Sequence, residues 1–239
     1  MLKSIVQFAQ RISIDPRRRL ALRFIRGRGI EIGALHNPLW MPPWARVTYV
    51  DRLTEGELRG HYPELSSFRL VKVDVVDDGE KLTRFEPGTQ DFIIASHFLE
   101  HTQDPIGTIR RLLEVLRPGG ILFLAVPDKR FTFDKGRPET EFAHVLRDSL
   151  EGPQWSYDGH LREFVSLVMG SSGEQLEAVV NGFRATNYSI HFHVWSQRSL
   201  RDFLDRLIAD IRLPMKIEAF VDNTRGRGEN ICIVRKTAS

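Results

Sequence analysis

Asp91-Phe-Ile-Ile-Ala-Ser-His-Phe-Leu-Glu-His-Thr-Gln-Asp-Pro105 is the stretch that decides the fold. The apolar run 92–95 is short and ends in small and polar residues, as a buried strand does. Beyond it, Ile106, Ile109, Leu112, Leu113 and Leu116 recur at intervals of three and four, the period of a helix face. Pro118-Gly119-Gly120 stops that helix, and Ile121-Leu-Phe-Leu-Ala-Val126 reads as a second buried strand. Strand, helix, strand in this order is a βαβ unit, which needs a parallel sheet.

Working outward, the runs 29–33, 47–50 and 70–73 read as three earlier parallel strands. After Pro127 the rhythm changes. Helical patterns cover 141–150, 161–168 and 174–183 with no convincing strand among them. A longer helix over 197–211 follows, with Leu200, Phe203, Leu204, Leu207 and Ile208 as its apolar stripe. Two late strands, 215–220 and 231–234, are separated by a loop of turn formers and should pair antiparallel. The expected architecture is α/β: a doubly wound, mostly parallel sheet with a helical insertion after strand five. One domain is expected over 1–239, with residues 128–190 forming a helical lid rather than a second domain, because about 60 residues is small for an independent core.

Composition supports this reading. The chain has 239 residues, is 41% hydrophobic and 27% charged, and carries a formal net charge of only +3, so it is not a nucleic-acid polycation. Cys232 is the only cysteine, which excludes an internal disulfide and fits a reducing compartment. No apolar run approaches the ~20 residues of a membrane span. The start over residues 1–10 lacks the features of a secretory signal, so the expected location is the cytoplasm. Basic character concentrates in the N-terminal segment 1–28, at Arg17, Arg18, Arg19, Arg23, Arg26 and Arg28. Leu20, Leu22, Phe24 and Ile25 interleave with them, giving an amphipathic helix after Pro16. Such a helix either packs on the sheet with a solvated basic face or makes peripheral contact with an anionic membrane or phosphorylated substrate.

Ligands of open α/β sheets bind beyond the carboxyl ends of the strands. Gly33 permits a tight turn there and close approach of a ligand to the backbone. Asp51, at the end of strand two, can accept hydrogen bonds from both hydroxyls of a ribose. Asp74, at the end of strand three, can take the exocyclic amine of an adenine. Strand four runs into Ser96-His-Phe-Leu-Glu-His101.

Together these residues resemble the class I S-adenosylmethionine-dependent methyltransferases, in the group called type 11. The resemblance covers residues 29–128, with an echo at 193–207. Its most specific part is the opening stretch continued through Leu116-Arg-Pro-Gly-Gly-Ile-Leu122 and Val126-Pro-Asp128. The string Asp128-Lys-Arg-Phe-Thr-Phe-Asp134 with Arg137-Pro138 is similar to a bacterial subgroup associated with cell-surface polysaccharide biosynthesis. The resemblance implies a seven-stranded Rossmann-like sheet and S-adenosyl-L-methionine as cofactor. It implies Glu31, Gly33 and Ala34 beside the methionine part, Asp51 on ribose, Asp74, Val75 or Asp78 at adenine, and Ser96 and His97 lining the pocket. The chain departs from the family at Leu35 and Asn37, which stand where glycines are common, and at the proline-rich segment 38–44.

The function this implies is methylation of a hydroxyl on a sugar or other small molecule, with no nucleic-acid partner and an oligomeric state that the sequence leaves open. A hydroxyl acceptor must lose its proton, commonly to His, Asp or Glu. His160, after a glycine and before an expected helix, and His193, before the long helix, are the candidate bases, while His101 reads as structural. His191 and His193 share a face if that segment is extended. No third ligand with recognisable spacing lies nearby, so no metal is expected. Two other readings are a non-catalytic module of the same fold and a nicotinamide oxidoreductase. The latter is disfavoured because Gly-x-Gly-x-x-Gly is absent after strand one.

Overall fold

The computed structural model describes residues 15–222 and 228–238. Residues 1–14 of the basic N-terminal segment, 223–227 of the late loop, and Ser239 lie outside the described residues. The strands are β1 (Gly27–Ile32), β2 (Ala45–Asp51), β3 (Val75–Val76), β4 (Gln90–Ser96), β5 (Leu116–Pro127), β6 (Met215–Val221) and β7 (Glu229–Lys236). They form one seven-stranded sheet in the order β3-β2-β1-β4-β5-β7-β6. The first five run parallel, and β7 is antiparallel to both its neighbours.

Helices cover both faces, which is why the strands read as continuous apolar runs. Along β4, Phe92 and Ile94 point to one core cluster while Ile93 and Ala95 point to the other. The larger cluster is closed by α3 (Pro105–Val115), α4 (Phe142–Glu151) and α7 (Gln197–Ala209). At the start of α3, Asp104 Oδ1 accepts from Gly107 N at 2.8 Å and Pro105 occupies the first turn, so the quoted stretch carries its own helix cap. The opposite face is covered by α1 (Pro16–Phe24), whose Leu20, Ala21 and Phe24 are buried against the sheet. Each such leucine or phenylalanine contributes about 1.5–3 kcal/mol on full burial. The apolar stripe of α1 is therefore packed on the sheet. No helix of the described residues is long and apolar enough to cross a membrane.

Two local expectations are corrected. The run 70–73 forms no strand. Leu70 is buried in a satellite cluster with Leu58 and Leu65, and the ladder with β2 begins only at Val75. Its apolar character serves that cluster rather than a sheet. The second helix of the insertion is α5 (Gln154–Leu167), which begins well before 161 and includes Gly159 and His160. A mid-helix glycine costs about 1 kcal/mol relative to alanine, which burial of Leu161 and Val165 outweighs. α5 packs with α6 (Gly173–Thr186) around Leu161, Val165, Val180, Ile190 and Phe192. α2 (Glu55–His61) follows β2 behind a capping box between Thr54 and Glu57.

Candidate active site

The strand order reverses between β1 and β4, and a cleft opens beyond their carboxyl ends. Gly33 leaves β1 with φ +63° and open space where a Cβ would be, after donating its N–H to Val50 O at 2.9 Å. Asp51 brings a half-buried carboxyl to the cleft from the end of β2. Burial raises its pKa, against lowering hydrogen bonds from Leu53 and Arg52. Beyond β3 the chain supplies Asp78, Gly79 and Glu80. Burial, with the Asp78 charge, pushes Glu80 up to about 7. A Cβ on Gly79 would lie 2.7 Å from Ile32 and 2.8 Å from the Phe98 ring, so glycine keeps this wall of the cleft open. Acids at the ends of β2 and β3 with Ile32 and Phe98 between them fit a nucleoside: carboxylates for ribose hydroxyls and an exocyclic amine, apolar atoms for the base.

Of the residues expected at the cofactor, Gly33, Asp51, Asp78 and His97 line the cleft. Glu31, Ala34, Asp74, Val75 and Ser96 do not. Glu31 is fully buried, and its Oε1 accepts from Leu39 N at 2.8 Å, tying down the proline-rich segment. Burial pushes it up to about 7. Asp74 precedes β3, and its carboxylate accepts from Tyr49 N at 2.9 Å on the sheet edge. Val75 pairs with Val50 in the ladder. The Ser96 hydroxyl is buried. Leu35, at a position where the family commonly has glycine, adopts φ +48° and so keeps a glycine-type turn without the glycine. Its side chain packs against the cluster of Leu58, Leu65 and Leu70.

His97 follows β4 with φ +51°, a strained conformation of the kind that collects at functional sites. Its Nε2 lies 2.9 Å from Glu229 Oε2, at the first residue of β7. Glu229 also accepts from Arg17 Nε at 2.8 Å and Arg17 Nη2 at 2.5 Å. Burial opposes ionisation of Glu229, but the bonds from His97 and Arg17 bring it down to about 2. The carboxylate is thus ionised, and it fixes the His97 proton on Nε2. In the neutral ring Nδ1 then carries the lone pair, 3.7 Å from the carboxyl group of Glu100, whose pKa burial raises. Burial lowers the pKa of His97, yet the Glu229 hydrogen bond and the charges of Glu100 and Glu229 leave it raised overall. Arg17, read from the sequence only as part of the basic helix, and Glu229 were not expected at the site. The usable signal was register: antiparallel pairing of β7 with β5 puts Glu229 opposite Pro127, at the ligand edge.

The two histidines expected to act as bases lie elsewhere. His160, inside α5, and the fully buried His193 converge with His144 and Asp148 of α4. Burial, then the neighbouring histidine, drives His160 down to about 3 and His193 well below its ordinary value. Neither lines the cleft. His191 does not join His193. Its Nδ1 meets Asp134 Oδ2 at 2.7 Å, and Asp134 pairs with the buried Arg137, so the string 128–138 builds a buried ion-pair hub. His101 and Ser189 reach the cleft, the latter at the end of the insertion.

A family model described as a methyltransferase domain matches residues 7–207. A ubiquinone biosynthesis O-methyltransferase of Xanthomonas campestris pv. campestris is 37% identical over 82 residues, 34% of each chain. The matched stretch thus spans about a third of the length of that curated relative. Among solved structures, a Rhodobacter sphaeroides chain described provisionally as a Zn-dependent alcohol dehydrogenase aligns at 14% identity and TM-score 0.55, over 94% of this chain and 91% of its own. At that identity the likeness is one of fold alone. A SAM-dependent methyltransferase from Methanosarcina mazei aligns at 15% identity and TM-score 0.48, over 95% and 100% of the two chains.

Proposed function

We propose that this chain, which belongs to the methyltransferase domain family and uses S-adenosylmethionine, methylates a hydroxyl of a small molecule, with a saccharide as the first candidate. The observation that carries this reading is the His97 imidazole at the cleft. Its Nε2–H is held by ionised Glu229, and its Nδ1 is left to accept a proton. Asp51 would hold the ribose, Asp78 and Glu80 the adenine amine, and the Gly33 turn the methionine part. Bound there, the cofactor supplies a sulfonium methyl that needs little covalent help, so positioning provides much of the rate. Nδ1 of His97 takes the acceptor's proton, and buried Glu100 stabilises the imidazolium that results.

Several observations support the finer parts of the reading. The O-methyltransferase likeness favours oxygen as the acceptor atom. Arg52, Tyr62, His101 and Ser189 give the cleft wall the hydrogen-bonding groups a polyol needs. The likeness of residues 128–138 to a polysaccharide-associated subgroup favours a sugar. The insertion serves as a lid, since Ser189 at its end reaches the cleft while its own small core holds α5 and α6 together. The proton-acceptor role assigned from sequence to His160 or His193 passes to His97, because the first two sit in the buried cluster.

The test is transfer of labelled methyl from S-adenosylmethionine to a panel of sugars, sugar nucleotides and phenols. The label should appear as an O-methyl ether. His97→Asn should slow single-turnover transfer by ~10²–10⁴-fold with S-adenosylhomocysteine affinity nearly unchanged. The wild-type rate should rise with pH through a value above the ordinary 6.5 of imidazole, since the base must be deprotonated and its pKa is raised. Label on nitrogen or carbon, or an unchanged rate in His97→Asn, would contradict the proposal.

A further inference from the structure

Outside the cleft, the groups with the most unspent ligand chemistry are His144, Asp148, His160 and His193. They come from three separate parts of the chain. His144 and Asp148 stand one turn apart on α4, His160 is on α5, and His193 is in the extended approach to α7. One nitrogen from each imidazole and one carboxylate oxygen lie within 4.8 Å of one another. His144 Nε2 is 2.9 Å from His160 Nε2 and 3.3 Å from Asp148 Oδ2, which is 3.8 Å from His193 Nε2. Ligands about 2.0–2.1 Å from a tetrahedral zinc ion stand roughly 3.3–3.5 Å apart, in the middle of these separations.

A second observation points to a ligand. The Asp148 side chain is 0% exposed, and its Oδ2 faces the three imidazoles with no hydrogen-bond partner in the structure. Its other oxygen accepts from Ser156 Oγ at 2.9 Å, the outer-shell bond that orients a ligating carboxylate. Gln103 O lies 3.4 Å from His193 Nε2. A cavity of about 230 Å³, lined in part by Glu139, Glu141, His144, His160 and Glu163, gives ions an approach from outside.

We propose that these residues bind one divalent transition-metal ion, zinc by preference, in a closed structural site of three imidazoles and one carboxylate. Imidazole-rich sites suit zinc, and four protein ligands leave no open catalytic position. The ion would staple α4 and α5 to the segment before α7. That segment is already fixed to the turn that follows β4, because Phe192 N and His193 N both donate to Glu100 O. The metal thereby holds the insertion over the cleft without touching the cofactor. A metal site was not legible in the sequence because its ligands are spread from 144 to 193 and only the fold gathers them.

The test uses the full chain without a histidine tag, stripped with a chelator and titrated with zinc, with elemental analysis of the dialysed product. About one equivalent should remain bound, the melting temperature should rise, and cobalt in place of zinc should give the intense visible bands of a tetrahedral site. His160→Gln and Asp148→Asn should each weaken zinc binding by at least ~100-fold, more than loss of an outer partner does. Should Asp148→Asn fail to fold, the cobalt spectrum of the wild-type chain and His160→Gln decide. Absence of a stoichiometric ion in the folded wild-type chain, or zinc affinity unchanged in His160→Gln, overturns the proposal and leaves a hydrogen-bonded His144–His160 pair beside a buried aspartate.

Discussion

Leu35 shows how a single residue can depart from a family pattern and keep its geometry. The turn over the cleft needs a left-handed backbone at 35, and leucine adopts it at φ +48°. Holding a non-glycine residue there costs roughly 1–2 kcal/mol, offset by packing on Leu58, Leu65 and Leu70. Truncation separates the two effects. Leu35→Ala and Leu35→Gly both lose the packing, but only glycine relieves the strain. Glycine ordinarily costs about 0.5–1 kcal/mol more than alanine through its flexible unfolded state. Here the order should invert, with Leu35→Gly more stable than Leu35→Ala by about 0.5–1 kcal/mol in chemical denaturation. Alanine as the more stable variant would show that the turn is not strained. The missing glycine was plain in the sequence. Its backbone consequence was not, because a substitution pattern does not reveal whether a loop has changed path or absorbed strain.

Among the elements, α1 and β7 meet at His97 and set its chemistry with opposite signs. Glu229 at the start of β7 raises the imidazole pKa, and Arg17 in the first turn of α1 lowers it. Glu229→Gln should therefore move the His97 titration downward, and Arg17→Met should move it upward. Each shift is readable by NMR of the ring without knowledge of the acceptor. Displacement of both variants in one direction would break the proposed coupling. The elements themselves were readable where both faces are buried, since β1, β2, β4 and β5 show continuous apolar runs and α3 shows a clear period of three and four. They were misread where an apolar run had another employer, since 70–73 fills a satellite cluster, and where a helix opens without an apolar stripe, since α5 begins through Gln154, Ser156, Asp158 and Gly159. The basic helix was seen, but one of its arginines turned inward to an ion pair that only the strand order could reveal.

Across the whole molecule, buried acids resist ionisation, Glu80 in the cleft wall and Glu31 within β1 among them, and the chain should feel this as pH changes. Glu31 and Glu80 both titrate near 7 in the folded state, above the ordinary 4.5. A raised folded pKa favours the native state fully below 4.5, and that contribution is lost as pH climbs through 7. Glu229, lowered to about 2, works the other way: its contribution holds above 4.5 and disappears as pH falls toward 2. Below the ordinary 6.5 of imidazole, the lowered His160 and His193 act in the opposite sense, so in thermal melts of the cofactor-free chain the glutamate decline is read between about pH 5 and pH 8 as the difference between the wild-type chain and its glutamate variant. Glu31→Gln, which can still accept from Leu39 N, should flatten that decline by on the order of 1–3 kcal/mol. An equal slope in the variant would remove Glu31 as its source. At this scale the mostly parallel sheet, the insertion after strand five and the antiparallel edge were legible, because a βαβ unit demands parallel strands, while the order of the strands came only with the fold. The site was half legible, because acids at strand ends announce themselves while residues 17, 97 and 229 are joined only by the folded chain. The most direct test of the account is calorimetric titration of S-adenosylhomocysteine into the wild-type chain, Asp51→Ala and Asp74→Ala. Binding should weaken by ~2–3 kcal/mol in Asp51→Ala, where charge-assisted bonds to ribose are lost, and stay unchanged in Asp74→Ala, whose carboxylate serves the sheet edge. Wild-type affinity in a folded Asp51→Ala chain, or a loss confined to Asp74→Ala, would contradict the placement of the cofactor in this cleft.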